Sequence, residues 1–153
     1  MTSLISVRYA RFATITVLVF VVCGLMLNST GLLSPNVSME AQFRHAAGLV
    51  PSLFYVAGIW MVERAFRSIE RGQRIEAALS TLMKRLGHCL FFGGIAFVFV
   101  QPVLLKTLTS HWSAWVWWDV PSITLGCLGL LLFTMAEPLR DAATARAEMD
   151  VIL

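Results

Sequence analysis

Charge is what this chain has least of. Asp, Glu, Lys and Arg make up 14% of its 153 residues, against about 25% in soluble domains. The shortage is concentrated in blocks. Segments 12–33, 46–62 and 120–136 contain no charged residue, and 86–105 contains only His88 as a group that titrates near neutral pH. The hydrophobic share is 58%, more than a chain of this length can hide from water, which excludes a water-soluble domain. Cysteine is scarce too. Cys23, Cys89 and Cys127 are odd in number and each sits in an apolar run, which excludes a disulfide framework and leaves small hydrophobic thiols. No Walker loop, H-E-x-x-H, C-x-x-C or G-x-S-x-G pattern occurs. The sequence therefore offers no catalytic residues, no metal ligands and no cofactor site. Nor does any acidic residue fall in the middle of an apolar run, so the carboxylate usual in a proton-coupled carrier is missing.

What is present is four apolar segments near the ~20 residues that a membrane-spanning helix needs. Barrel strands would alternate polar and apolar residues over ~10 positions, whereas these runs are continuously apolar and twice that long. The first run follows Arg8 and Arg11 but exceeds the ~7–15 residues of a signal-peptide core, so it is read as a retained span. The expected fold is all-α and integral to a membrane. Spans at 12–33, 46–62, 86–105 and 120–136 would form one up-down-up-down bundle over residues 1–153, followed by an amphipathic C-terminal helix. Spans two and four are short and should extend into their flanks.

The basic residues give an orientation. Arg8, Arg11, Arg64, Arg67, Arg71, Arg74, Lys84, Arg85, Arg140 and Arg146 fall on one side of the alternation, and only Arg44 and Lys106 on the other. The positive-inside rule places both termini and the 63–85 loop in the cytoplasm, which suits a bacterial inner membrane. The net charge of +3 then serves orientation rather than direct nucleic-acid binding. On the opposite side Trp112, Trp115, Trp117 and Trp118 crowd before the fourth run, as an aromatic belt would at headgroup level.

Within the cytoplasmic loop, apolar residues recur every three or four positions on both sides of Gly72, which predicts two helical pieces and a turn at Arg71-Gly72-Gln73. Arg64, Arg67, Arg71, Arg74, Lys84 and Arg85 are the candidates for contact with anionic lipid or a protein partner. The tail, 137–153, begins Glu137-Pro138, which predicts a kink or a fresh helix start. Its four acids are expected to pair with the basic loop. Glu63 and Glu137 are expected to mark the ends of spans. Asn28 and Gln101 are the intramembrane polar residues, with Pro51 and Pro102 expected to loosen the spans beside them. Gly93, Gly94, Gly126 and Gly129 are read as helix-contact residues, as is the small pair Ser122 and Gly126. His45, His88 and His111 do not fall at matching depths on facing helices, so no haem pair is expected.

The stretches Leu53-Phe54-Tyr55 to Ala65-Phe66-Arg67, Arg71-Gly72-Gln73-Arg74-Ile75 and Leu82-Met83-Lys84-Arg85-Leu86-Gly87 resemble the bacterial domain-of-unknown-function family 2975. So does the tail from Met135-Ala136-Glu137 to Glu148-Met149-Asp150. Ile75 stands where that family tends to have phenylalanine, and Pro138 interrupts a tail that is usually continuous. The resemblance implies a four-span inner-membrane protein without an established biochemical activity, and a regulatory or sensory pairing. Taken together, the sequence predicts a non-enzymatic accessory or regulatory protein working through its basic loop and acidic tail. Its partners would be the bilayer and a protein at the cytoplasmic face. The alternative is a small-solute carrier or channel subunit, which would function as a homo-oligomer.

Overall fold

A computed structural model describes residues 2–33, 38–109 and 118–152. All of the regular structure among them is helical: α1 (Thr2–Leu33), α2 (Met39–Glu70), α3 (Ile75–Ile95), a π-helical segment (Ala96–Val100), α4 (Gln101–Thr109) and α5 (Val120–Ile152). Four stretches are long and apolar enough to cross a membrane: Val7–Thr30, Ala41–Glu70, Ile75–Thr107 and Val120–Arg146.

Helix ends follow local chemistry. Ser38 caps α2, its side chain accepting from the Ala41 N–H at 3.4 Å. At the other end the Gln73 N–H donates to the Ser68 carbonyl at 3.2 Å and the Gly72 N–H to the Ile69 carbonyl at 3.0 Å. This paired closure needs a left-handed residue, and Gly72 supplies it at φ 85°. Asp119 caps α5, accepting from the Ser122 N–H at 3.0 Å and the Ser122 hydroxyl at 2.6 Å.

Proline acts differently at Pro102 and Pro138. Pro102 has no N–H, and in a regular α-helix its ring would press on the carbonyl four residues earlier. The turn before it is widened instead: Ala96–Val100 is π-helical, and the Gln101 N–H donates to the Ala96 carbonyl, five residues back. Pro138 lies within the single helix α5, so the expected fresh start is not found. The residues around it, Met135-Ala136-Glu137 and Leu139-Arg140-Asp141-Ala142-Ala143, favour helix strongly enough to carry one missing bond.

Packing is inverted relative to a water-soluble protein. The buried apolar residues are mostly small: Ala47, Ala78, Cys89, Ala96 and Ala136, with Val98, Leu105, Pro51 and Pro102. Large side chains such as Phe12, Phe20, Leu53, Trp60, Phe92 and Phe99 are exposed. A surface of that kind would aggregate in water and is at ease in lipid. The helices form a row in which α1 meets α2, α2 meets α3 and α4, and α3 meets α5; among the described residues α1 touches neither α3 nor α5.

The most extensive contact, α3 on α5, is backbone on backbone. A Cβ on Gly87 would lie 2.6 Å from the Gly129 carbonyl oxygen and 2.7 Å from the Phe133 nitrogen. One on Gly129 would lie 2.6 Å from the Phe91 nitrogen, and one on Gly94 2.9 Å from the Ser122 carbonyl oxygen. Gly94, Gly126 and Gly129 thus take the contact role read from sequence between α3 and α5, and Gly93 takes it against Tyr55 and Phe54 of α2.

Gly129→Ala is therefore expected to destabilise the protein by about 1–3 kcal/mol, since the obstructing atoms are main chain and cannot step aside. Gly24→Ala, with open space around the added methyl, should be neutral or slightly stabilising. Unfolding by SDS titration in detergent micelles measures both.

Candidate contact surface at the basic end

The end of the row that carries the basic loop is built around one buried carboxylate. Glu63 is 3% exposed. Its Oε1 accepts from Arg11 Nε of α1 at 3.2 Å and from Arg67 Nη2 and Nε at 2.9 and 3.3 Å. Arg11 also pairs with Glu70, one helical repeat further along the same face of α2. Two guanidinium groups and two carboxylates thus form a neutral set that pins the start of α1 to the end of α2. Burying a carboxylate is costly unless it is paired and hydrogen-bonded, and here both conditions are met.

This sorts the six basic candidates. Arg67 is engaged with Glu63. Arg64 lies over the Trp60 ring, its guanidinium carbon 5.9 Å from the centroid, within cation–π range. Arg71 ends α2 and Arg74 begins α3, both exposed. Lys84 and Arg85 are exposed on α3. Arg64 and Arg85 come together in one place: they line a cleft of about 240 Å³ between α2 and α3. Met61, Ala65, Ala78 and Leu82 form its apolar part, and Ser68, Gln73 and Thr81 its polar part.

The tail reaches the loop at one described ion pair. Arg146 Nη1 donates to Glu76 Oε1 at 2.9 Å: the cation comes from the tail and the acid from the first turn of α3. A carboxylate there also complements the helix dipole.

At the other end, Trp118 is exposed beside the Asp119 cap, and Trp112, Trp115 and Trp117 lie outside the described residues. Asn28 is exposed on α1, while Gln101 is buried with its Oε1 unpartnered and its Nε2 toward Gly48 of α2. The two amides stand on helices, α1 and α4, that do not meet among the described residues, so they do not line a common path. The Tyr55 hydroxyl is also buried, facing Ser122 of α5 without a well-formed hydrogen bond among the described residues. Sequence reasoning missed Tyr55, and it missed Asp119, whose signal was the cap pattern Asp119-Val120-Pro121-Ser122 at the end of the tryptophan string. His88 donates from Nδ1 to the Lys84 carbonyl at 2.8 Å and meets the Phe133 ring edge-on at 4.5 Å. Among the described residues no three His, Cys, Asp or Glu side chains are grouped to hold a metal ion.

Glu63→Gln keeps the volume and removes the charge, and is expected to cost ~2 kcal/mol, as for loss of hydrogen bonds to a charged group. Arg146→Ala, at an exposed pair, should change stability by no more than ~1 kcal/mol. Gln101→Leu should leave the unfolding midpoint unchanged or raise it, because it removes an amide whose oxygen is unsatisfied. Thermal unfolding in micelles ranks the three; a fall for Gln101→Leu as large as that for Glu63→Gln would show the amide to be bonded. Comparison with protein-family models, with curated proteins and with solved structures finds no match for this chain.

Proposed function

We propose that this chain is a multi-pass protein of a bacterial inner membrane, related to domain-of-unknown-function family 2975. It acts without catalysis, as an accessory or regulatory protein. The helices cross up-down-up-down, both termini lie in the cytoplasm, and the amphipathic tail and the basic ends of α2 and α3 form a contact surface for lipid headgroups or a protein partner.

One observation carries the reading. The Arg11, Glu63, Glu70 and Arg67 network, the Arg146–Glu76 pair and the basic cleft all lie at one end of the helix row. Ten of the twelve basic residues in the sequence are counted to that side, as expected for an inner leaflet. Within it Glu63, Glu70 and Glu76 are paired internally with Arg11, Arg67 and Arg146, so the carboxylates of α2 and the start of α3 do not offset the exposed arginines of the loop. A carrier has less support, because the two intramembrane amides stand apart.

Single cysteines introduced at Gly72 and Met149 in a cysteine-free background test the orientation. Both are expected to react with a membrane-impermeant maleimide in inverted vesicles and to be protected in intact cells. Labelling of either in intact cells would overturn the orientation. A photocrosslinker at Arg71 is expected to capture a discrete protein or lipid adduct in membranes; absence of any adduct would remove the contact role.

A further inference from the structure

We propose that the cleft between α2 and α3 is a binding site for a phosphate-bearing anion, specifically the headgroup of an anionic phospholipid in the adjoining leaflet. The inference deepens the reading above and rests on its placement of this end at the inner membrane surface.

The first argument is charge. Arg64 and Arg85 both line the cleft, and none of its lining residues is a carboxylate. The nearest acid in sequence to Arg64, Glu63, is already occupied by Arg11 and Arg67. Neither Arg64 nor Arg85 has an acidic partner of its own among the described residues, so a fixed positive potential remains. Guanidinium groups suit phosphate oxygens because their N–H donors come in a planar fork.

The second argument is fit. At about 240 Å³ the cleft falls below the ~300–1,000 Å³ of sites for drug-sized molecules, and suits a headgroup instead. Ser68 and Gln73 add a hydroxyl and an amide, while Met61, Ala65 and Leu82 give an apolar wall. That combination matches a phosphodiester at its junction with the acyl region.

The third argument is depth. Gly58 of α2 packs on Leu86 and Cys89 of α3. Six residues further along α2, and one to four residues back along α3, Arg64 and Arg85 stand where the apolar run of α2 gives way to charge. Basic pockets between membrane helices at that level are where anionic headgroups bind. The Trp60 ring holds the Arg64 guanidinium near this edge.

Native mass spectrometry of the full chain in non-ionic detergent tests the site with two probes, phosphatidylglycerol and phosphatidylcholine. Preferential retention of phosphatidylglycerol is expected. It should fall about tenfold or more in R64Q/R85Q and stay within about twofold in R8Q, which removes an exposed charge on α1 outside the cleft. Because R64Q/R85Q could fail to fold, Ser68→Leu fills the cleft without touching either charge and should also reduce retention. Displacement of bound lipid by millimolar inorganic phosphate would assign the cleft to free phosphate, with the same chemistry. Equal retention of the two lipids, an equal loss in R8Q, or undiminished retention in Ser68→Leu would overturn the site. The maleimide result for orientation would stand independently.

Discussion

Everything in this fold depends on how closely two backbones can approach. Once helices are in lipid, apolar side chains gain little by leaving it for one another, so association must come from contact between well-fitted surfaces. Between α3 and α5 that fit is made at Gly87, Gly94 and Gly129, where added side-chain carbons would sit 2.6–2.9 Å from main-chain atoms of the opposing helix. The same economy explains why the buried apolar residues are mostly small while many phenylalanines and leucines point outward. Large side chains in the seam would hold the helices apart and leave the van der Waals contact unmade.

Polar chemistry is then confined to the two ends, and the ends differ. At one, a capping aspartate satisfies the first turn of α5 and an exposed tryptophan stands beside it. At the other, carboxylates and guanidinium groups neutralise one another across α1, α2, α3 and α5. Outside those pairs, Arg64 and Arg85 line the α2–α3 cleft, which no carboxylate lines. The two ends thus present different surfaces, one with a capped helix start and an exposed tryptophan, the other with ion pairs and a cleft lined by two arginines.

How much of this was legible in the sequence depended on the range of the interaction. The turn at Gly72 could be read because glycine, the helical period on each side and the closing hydrogen bonds all lie within six residues. The helix-contact glycines could be read because small residues inside apolar runs have few other uses. Glu63 could not be read as a buried hub: its partner Arg11 is 52 residues away, and sequence spacing shows no neighbours across helices. It looked like the end of a span for that reason. Pro138 misled because its local cost is real, but the flanking helix formers outweigh it. Pro102 was read as a loosening and is better described as the cause of a widened π-helical turn directly before it. Asp119 was hidden by its company, a capping residue in a string whose tryptophans dominated attention.

The row arrangement has a consequence for how damage spreads. In a closed ring each helix is braced from two sides, and losing one exposes the flanks of two others. Among the described residues α1 has a single neighbouring helix, held at its base by the Arg11 carboxylate contacts, and α5 borders only α3 and the π-helical segment that continues it. Stability becomes a chain of nearest-neighbour links rather than a shared core, in the manner of a repeat protein. A lesion in α1 is therefore a terminal lesion, leaving the seam between α3 and α5 with all of its own contacts. A lesion in α2 or α3, by contrast, cuts the row in two.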